Sequence, residues 1–268
     1  MKRLLFAAFC ILALCSLLVI NTGPVKAAEP GYTRVDYNPD TAPTIDGQWT
    51  TDDEWTLNGE PTTIGDEVTF RSVWTMVSTD YVTDTFLVEF FNDTTDDAGD
   101  YWQLCINGDQ SQEATPQATD YRIDIEGHTT LKLYQGTGTG WTEITPNIGD
   151  IEWDDSLSDS PTNSTPHWIL EITFYKAGLG AGPYWDFRLA MYDESDGTLL
   201  AWPPTPDDNP SRWGFQDYVM AVWPEGFSLG FVLLLSSVAV VLGFYFLRKR
   251  PKTKSYRSGK TGEINYTR

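Results

Sequence analysis

No apolar pattern of period 3.6 persists anywhere between Glu29 and Val222, and that absence constrains the fold most. Short runs rich in β-branched and aromatic residues recur instead, punctuated by Gly, Pro, Asn and Asp. "EVTFRSVWTMVS", "TFLVEFFND" and "YWQLCIN" come first; "YRIDIE", "LKLYQ", "WTEI", "HWILEITFY" and "WDFRLAMYD" follow. In "YWQLCIN" the alternation puts Trp102, Leu104 and Ile106 on one face and Tyr101, Gln103, Cys105 and Asn107 on the other. Many short strands in a stretch of this length predict an all-β, antiparallel β-sandwich with little helix.

Two apolar segments frame this region. Lys2 and Arg3 precede an uncharged run from Leu4 to Ile20, and "VKA" ends at Ala27, the pattern of a cleaved secretion signal. Phe227 to Leu247 carries no charge and, at 1.5 Å per residue, would span roughly 31 Å, the thickness of a bilayer core. "RKRPKTK" follows at once, so the positive-inside rule places the C-terminus in the cytoplasm. The expected organisation is a signal peptide at 1–27 and a β-sandwich ectodomain at 28–222. A membrane-proximal motif with a transmembrane helix occupies 223–247, and a basic cytoplasmic tail 248–268. The protein is expected in the cell membrane as a single-pass chain, its N-terminal domain outside.

Charge divides the same way. The chain's net −20 combines a basic tail with an ectodomain holding 7 basic and 37 acidic residues between Ala28 and Glu225. Such a field repels nucleic acid and attracts cations, so no nucleic-acid partner is expected. Solubility in a salty medium and calcium binding both account for it. Cys10 and Cys15 fall in the signal, leaving Cys105 alone and no internal disulfide to form.

"APTIDGQWTTDDEW" (Ala42 to Trp55) resembles the opening of family 9 carbohydrate-binding modules and their DOMON-like relatives. "DTFLVEFFNDTTDDAGDYWQLCINGD", "PHWILEITFYKAGLG" and "WDFRLAMYDESDGTLLAWPP" with "SRWGF" continue the likeness in order, over most of Pro43 to Phe215. The resemblance implies a sandwich in which Asp46-Gly47 turns the chain and Trp55 plugs the core. It also implies non-catalytic binding of an extracellular glycan. Sugar-binding members hold the ligand between two Trp rings. This chain has "TTDDAGD" at the first position and Asp207 or Asp208 at the second, so Tyr101, Trp202 and Trp213 are the candidates to rebuild the site. "WPEGFSLGF" followed by "LRKR" is similar to the sorting anchors of archaeal surface proteins, which makes surface-layer components possible partners.

The DOMON-like relatives include haem-binding electron-transfer domains, one alternative function; a surface-layer structural role is the other. The possible axial ligands are Met76, Met191, Met220, His128, His167, Lys132 and Lys176. Both histidines read as ordinary surface residues. For metal, Asp93, Asp96, Asp97 and Asp100 place four carboxylates around a Gly, hard oxygen donors suited to Ca²⁺. "DESDG" at Asp193 and "DDNP" at Asp207 read as turns, and the Trp residues at 153, 202 and 213 as loop residues. Asn92 and Asn163 open glycosylation sequons. No G-x-S-x-G or H-E-x-x-H is present, and a binding module is expected rather than an enzyme.

Overall fold

The computed structural model describes residues 29–218 except 40, 56–60, 79–80, 148–149 and 183. The expected signal, anchor and tail, and Met220, lie outside the described residues. Among the described residues no helix is long and apolar enough to cross a membrane.

Two sheets stack face to face. The larger has strand order β1–β13–β11–β5–β6–β7–β8, with β12 on β11. Its members are β1 (Thr33–Asp36), β5 (Tyr101–Asn107), β6 (Asp120–Glu126), β7 (Thr130–Gly136), β8 (Trp141–Ile144), β11 (Trp185–Asp193), β12 (Thr198–Trp202) and β13 (Gly214–Tyr218). The smaller runs β2–β3–β4–β10–β9. It contains β2 (Thr62–Ile64), β3 (Val68–Ser78), β4 (Tyr81–Phe90), β9 (Ile151–Ser160) and β10 (Asn163–Tyr175). The pairing is antiparallel apart from β1 with β13, where Thr33 to Asp36 run parallel to Phe215 to Tyr218. Among the described residues the α-helix is confined to the four-residue α1 (Asp52–Trp55), which agrees with the missing helical period.

Period-two alternation sends one face of each strand into the space between the sheets. There Phe70, Phe86, Phe174, Trp185, Phe187 and Trp202 are all buried. The rings meet edge to face, as Phe86 on Phe187 at 5.4 Å and Phe174 on Trp185 at 5.4 Å. This geometry places the positive edge of one ring on the negative face of the next. Near β1, Arg34 Nε donates to Ser72 Oγ at 2.9 Å and Ser72 Oγ donates to Asp36. Lys176 pairs with Asp84 at 3.1 Å. Burial raises Asp36 to about 7, with Asp84 adding repulsion.

A second, smaller core lies on the outer face of the smaller sheet, where Trp49 and Trp55 pack on Val73, Leu87 and Ile169. Trp55 therefore plugs the outside of one sheet rather than the space between two. Buried Glu171 anchors the segment: its Oε2 accepts the Asp46 and Gly47 N–H groups (2.9 and 3.1 Å), and its Oε1 accepts Trp55 Nε1 (2.8 Å). Gly47 has φ +69°, and a Cβ there would lie 2.8 Å from the Asp155 backbone, so only Gly fits this turn.

Candidate functional site

Two regions of the larger sheet gather polar side chains. At one end of the sandwich, the β4–β5 loop (91–100), the β6–β7 turn and the start of the β11–β12 turn converge. Carboxylate oxygens of Asp97, Asp100 and Asp193 come within 4.8 Å of one another, and Asp93, Asp100 and His128 form an overlapping group. Asp93, Asp97 and Asp100 are thus brought together, while exposed Asp96 stays outside both groups. Asp193, read from sequence as a turn residue, does cap Ser195 N at 2.7 Å, and it also faces the loop. Asp100 Oδ1 accepts Glu194 N at 2.8 Å and its Oδ2 accepts Asp97 N at 3.0 Å, which draws the two turns together. Asp97 Oδ2 is buried with no hydrogen-bond partner. An all-oxygen set with an unsatisfied buried acceptor fits a hard cation such as Ca²⁺. Burial, with Asp100 and Asp193 close by, raises Asp93 to about 6.

His128 corrects the expectation of a surface histidine. Gly127 and His128 have φ +52° and +54°, the left-handed pair of a tight hairpin turn. The turn drives the ring inward onto Trp168, stacked at 3.4 Å and 7°. Its Nδ1 lies 2.6 Å from Asp155 Oδ2 and its Nε2 3.3 Å from Asp100 Oδ2. Burial opposes the imidazolium, yet the two carboxylates outweigh it and the His128 pKa is raised. Asp155 Oδ2 also accepts Trp102 Nε1 at 2.8 Å, so one carboxylate of β9 ties down two elements of the facing sheet. His167 is buried as well, on the opposite outer face, with Nε2 3.3 Å from Glu89 Oε1.

The second region is the outer face of the larger sheet. Tyr101 stacks on Tyr192 at 5.3 Å and 20°, both half-buried. The neighbouring cross-strand row is Ala190, Gln103 and Asp124, and the row after it Arg188, Cys105 and Arg122. Arg188 Nη1 donates to Gln103 Oε1 at 2.6 Å. Arg122 bridges Asp124 (3.0 Å) and Asp207 (3.1 Å), and lies over the Tyr134 ring at 4.3 Å. Arg122 Nε and Asp124 Oδ1 are buried without a hydrogen-bond partner. Burial pushes Asp124 up to about 6 against the pull of Arg122 and Gln103.

The other two aromatic candidates are not platforms. Trp202 ends β12 inside the sandwich, 4.7 Å from Phe187 and 5.4 Å from Phe70, and a Cβ on Gly214 would lie 2.4 Å from its ring. Trp213 is fully buried, parallel to Trp141 at 6.3 Å, and its Nε1 donates to Pro206 O. Trp153 lies in β9, half-buried against the core. Among the described residues the expected haem ligands do not converge. Met191 is in the inter-sheet core, Met76 is 52% exposed at the far end of β3, and Lys132 and Lys176 pair with Glu126 and Asp84. Asn92 is exposed beside β4, and Asn163 opens β10 with its Oδ1 accepting Thr165 N at 3.0 Å.

No family model matches the chain, and no curated protein matches its sequence. Solved structures do match. A family 9 carbohydrate-binding module from Caldicellulosiruptor kristjanssonii in complex with glucose is similar at 15% identity and a TM-score of 0.50, covering 72% of this chain and 100% of the module. The same kind of module in complex with cellotriose is similar at 15% identity and a TM-score of 0.49, covering 71% and 100%. The fold is that of a family 9 carbohydrate-binding module. At this identity the family 9 likeness speaks for architecture, and the side chains must speak for the ligand.

Proposed function

We propose that the protein is a membrane-anchored, cell-surface module that binds a carbohydrate non-catalytically on the outer face of its larger sheet. The observation that carries this is the stacked Tyr101–Tyr192 pair beside Gln103, Asp124 and Arg122. A sugar ring offers an apolar C–H face that lies on an aromatic ring, and hydroxyls that accept from guanidinium N–H groups and donate to carboxylate oxygens. Arg122 Nε and Asp124 Oδ1 have such bonds still to make. The similar solved module holds glucose, which supports sugar as the ligand class. Calcium at Asp97, Asp100 and Asp193 would hold the β4–β5 loop, and so the start of the Tyr101 strand, in place. The apolar segment 227–247 and the basic tail supply the anchor.

The test uses full-length protein in detergent, titrated with glucose, cellotriose and a panel of soluble polysaccharides. Saturable binding that Tyr101→Ala or Asp124→Asn weakens by at least about tenfold supports the reading, since about 1.4 kcal/mol is expected from each such contact. Binding to none of the panel, or binding indifferent to both changes, overturns it.

A further inference from the structure

The opposite end of the same outer face holds a second polar constellation, used by neither the ligand patch nor the first carboxylate cluster. Asp186 of β11 pairs in register with Asn107 of β5, and Asn107 with Asp120 of β6. Side chains directly across neighbouring strands share a face, with Cβ atoms about 5 Å apart. The three therefore form one row, carboxylate, carboxamide, carboxylate, and each is fully buried.

The hydrogen bonds of this row are half made. Asn107 Nδ2 donates to Ser111 O at 3.1 Å, which fixes the amide's orientation. Asp120 Oδ2 accepts Gln117 N at 2.7 Å, and Asp186 Oδ2 accepts Gln112 Nε2 at 3.4 Å. The remaining oxygen of each, Asn107 Oδ1, Asp120 Oδ1 and Asp186 Oδ1, is buried with no hydrogen-bond partner, and so are Ser111 Oγ and Gln110 Nε2 of the loop that follows. Among the described residues neither carboxylate forms an ion pair with Arg or Lys, and the basic side chains of the sandwich lie near an acid, an aromatic ring or a polar acceptor elsewhere.

Leaving several buried acceptors bare is costly, more so for charged ones, and a fold tolerates that where something absent from the protein chain satisfies them. Water can satisfy an acceptor but does not neutralise two buried carboxylates on either side of one carboxamide. A cation does both. We infer that Asn107 Oδ1, Asp120 Oδ1 and Asp186 Oδ1 form a second site for a hard divalent cation, of the calcium class. Three oxygen donors from three adjacent strands, without imidazole or thiolate, match calcium chemistry and not that of zinc. Gln110 sits at φ +53°, and Gly108 is so close to Gly180 that a Cβ would lie 2.3 Å from its carbonyl oxygen. Burial raises both carboxyls to about 7, with Asp109 adding to each, Asp120 adding at Asp186, and the Gln110 and Gln112 amides opposing there.

The experiment strips full-length protein in detergent with EGTA. It then measures bound calcium per chain and the calcium-induced rise in Tm for wild type, Asp120→Asn, Asp186→Asn and Asp97→Asn. Each of the first two substitutions is expected to lose one bound ion per chain and part of the Tm rise. In EGTA both should melt at or above the wild-type temperature, because they remove buried like charge; that readout shows that the variants fold. Asp97→Asn reports on the first cluster alone, so failure there leaves this site intact and the reverse also holds. Unchanged calcium content and an unchanged Tm rise in both Asp120→Asn and Asp186→Asn would overturn the inference.

Discussion

The outer face of the five-stranded sheet is closed by the chain's own Thr41–Trp55 segment, which lays Trp49 and Trp55 over Val73, Leu87 and Ile169. The outer face of the eight-stranded sheet carries Arg188, Arg122, Gln103 and Asp124 instead, with two tyrosines at its rim, the 203–213 segment over one corner and the loop after Asn107 bonded to the other end. Both faces contain buried carboxylates, but their partners differ. On the smaller sheet Glu171 and Glu89 are saturated by the chain's own donors: Glu89 takes Thr69, Ser160, Thr162 and His167. On the larger sheet the oxygens of Asp124, Asn107, Asp120 and Asp186 are left half satisfied. A buried carboxylate whose acceptors the chain itself fills is scaffold; one left with an open oxygen is where a ligand or ion can add free energy.

The contrast can be broken most severely on the closed face. Trp55→Ala removes a fully buried indole and the hydrogen bond to Glu171 together. Core Trp-to-Ala changes cost about 3–5 kcal/mol, and the orphaned Glu171 oxygen adds to that. Urea unfolding should show a loss of this size, with sugar binding on the other face retained wherever the variant is still folded. A loss below about 1 kcal/mol would mean that the segment does not hold the sheet.

Glu171 supplies the next test. Burial raises its pKa to about 7, despite three N–H donors, with Glu54 and Asp46 adding repulsion. An acid whose folded pKa exceeds its unfolded value, about 4.3, holds its proton more tightly when folded. Stability from this group is therefore full below about pH 4.3 and is lost as pH rises through about 7. The loss should be on the order of 2 kcal/mol: each tenfold gain in proton affinity is worth about 1.4 kcal/mol, and relaxation of the site reduces the total. Tm measured in EGTA between pH 5 and 8 should fall more steeply for wild type than for Glu171→Gln. Equal slopes would mean that Glu171 does not carry the pH dependence.

Much of this architecture was legible in the sequence. The runs that became β3, β4, β5, β10 and β11 stand in the interior of their sheets, where burial on both faces makes them dense in apolar, β-branched and aromatic residues. The edge strand β9 was not legible, because "IEWDDSLSDS" alternates acids and serines with few apolar residues, as solvated edges do. Trp202 and Trp213 lie in Pro-rich surroundings that read as exposed loop, and only tertiary packing reveals Phe70 and Trp141 against them. The inward turn of His128 depends on two successive positive φ angles, and "EGHTT" signals a turn without saying where the ring will go. The row of Asn107, Asp120 and Asp186 depends on strand register, which no local pattern carries.

The smallest effect sharpens the comparison most. Tyr101 is half-buried and its partner is another half-buried ring, so Tyr101→Ala forfeits a stacked pair and little core. Such pairs contribute about 0.5–1.5 kcal/mol beyond area burial, and the expected stability loss is about 1 kcal/mol. If the open face is a recognition surface, the same substitution reduces ligand affinity by at least about tenfold, a larger fraction of the binding energy than of the folding energy. A scaffold residue behaves the other way, as Trp55 should. Measuring unfolding and ligand titration on both variants therefore separates the faces by their ratio. A Tyr101→Ala variant that loses several kcal/mol of stability with unchanged affinity would assign this ring to the scaffold as well.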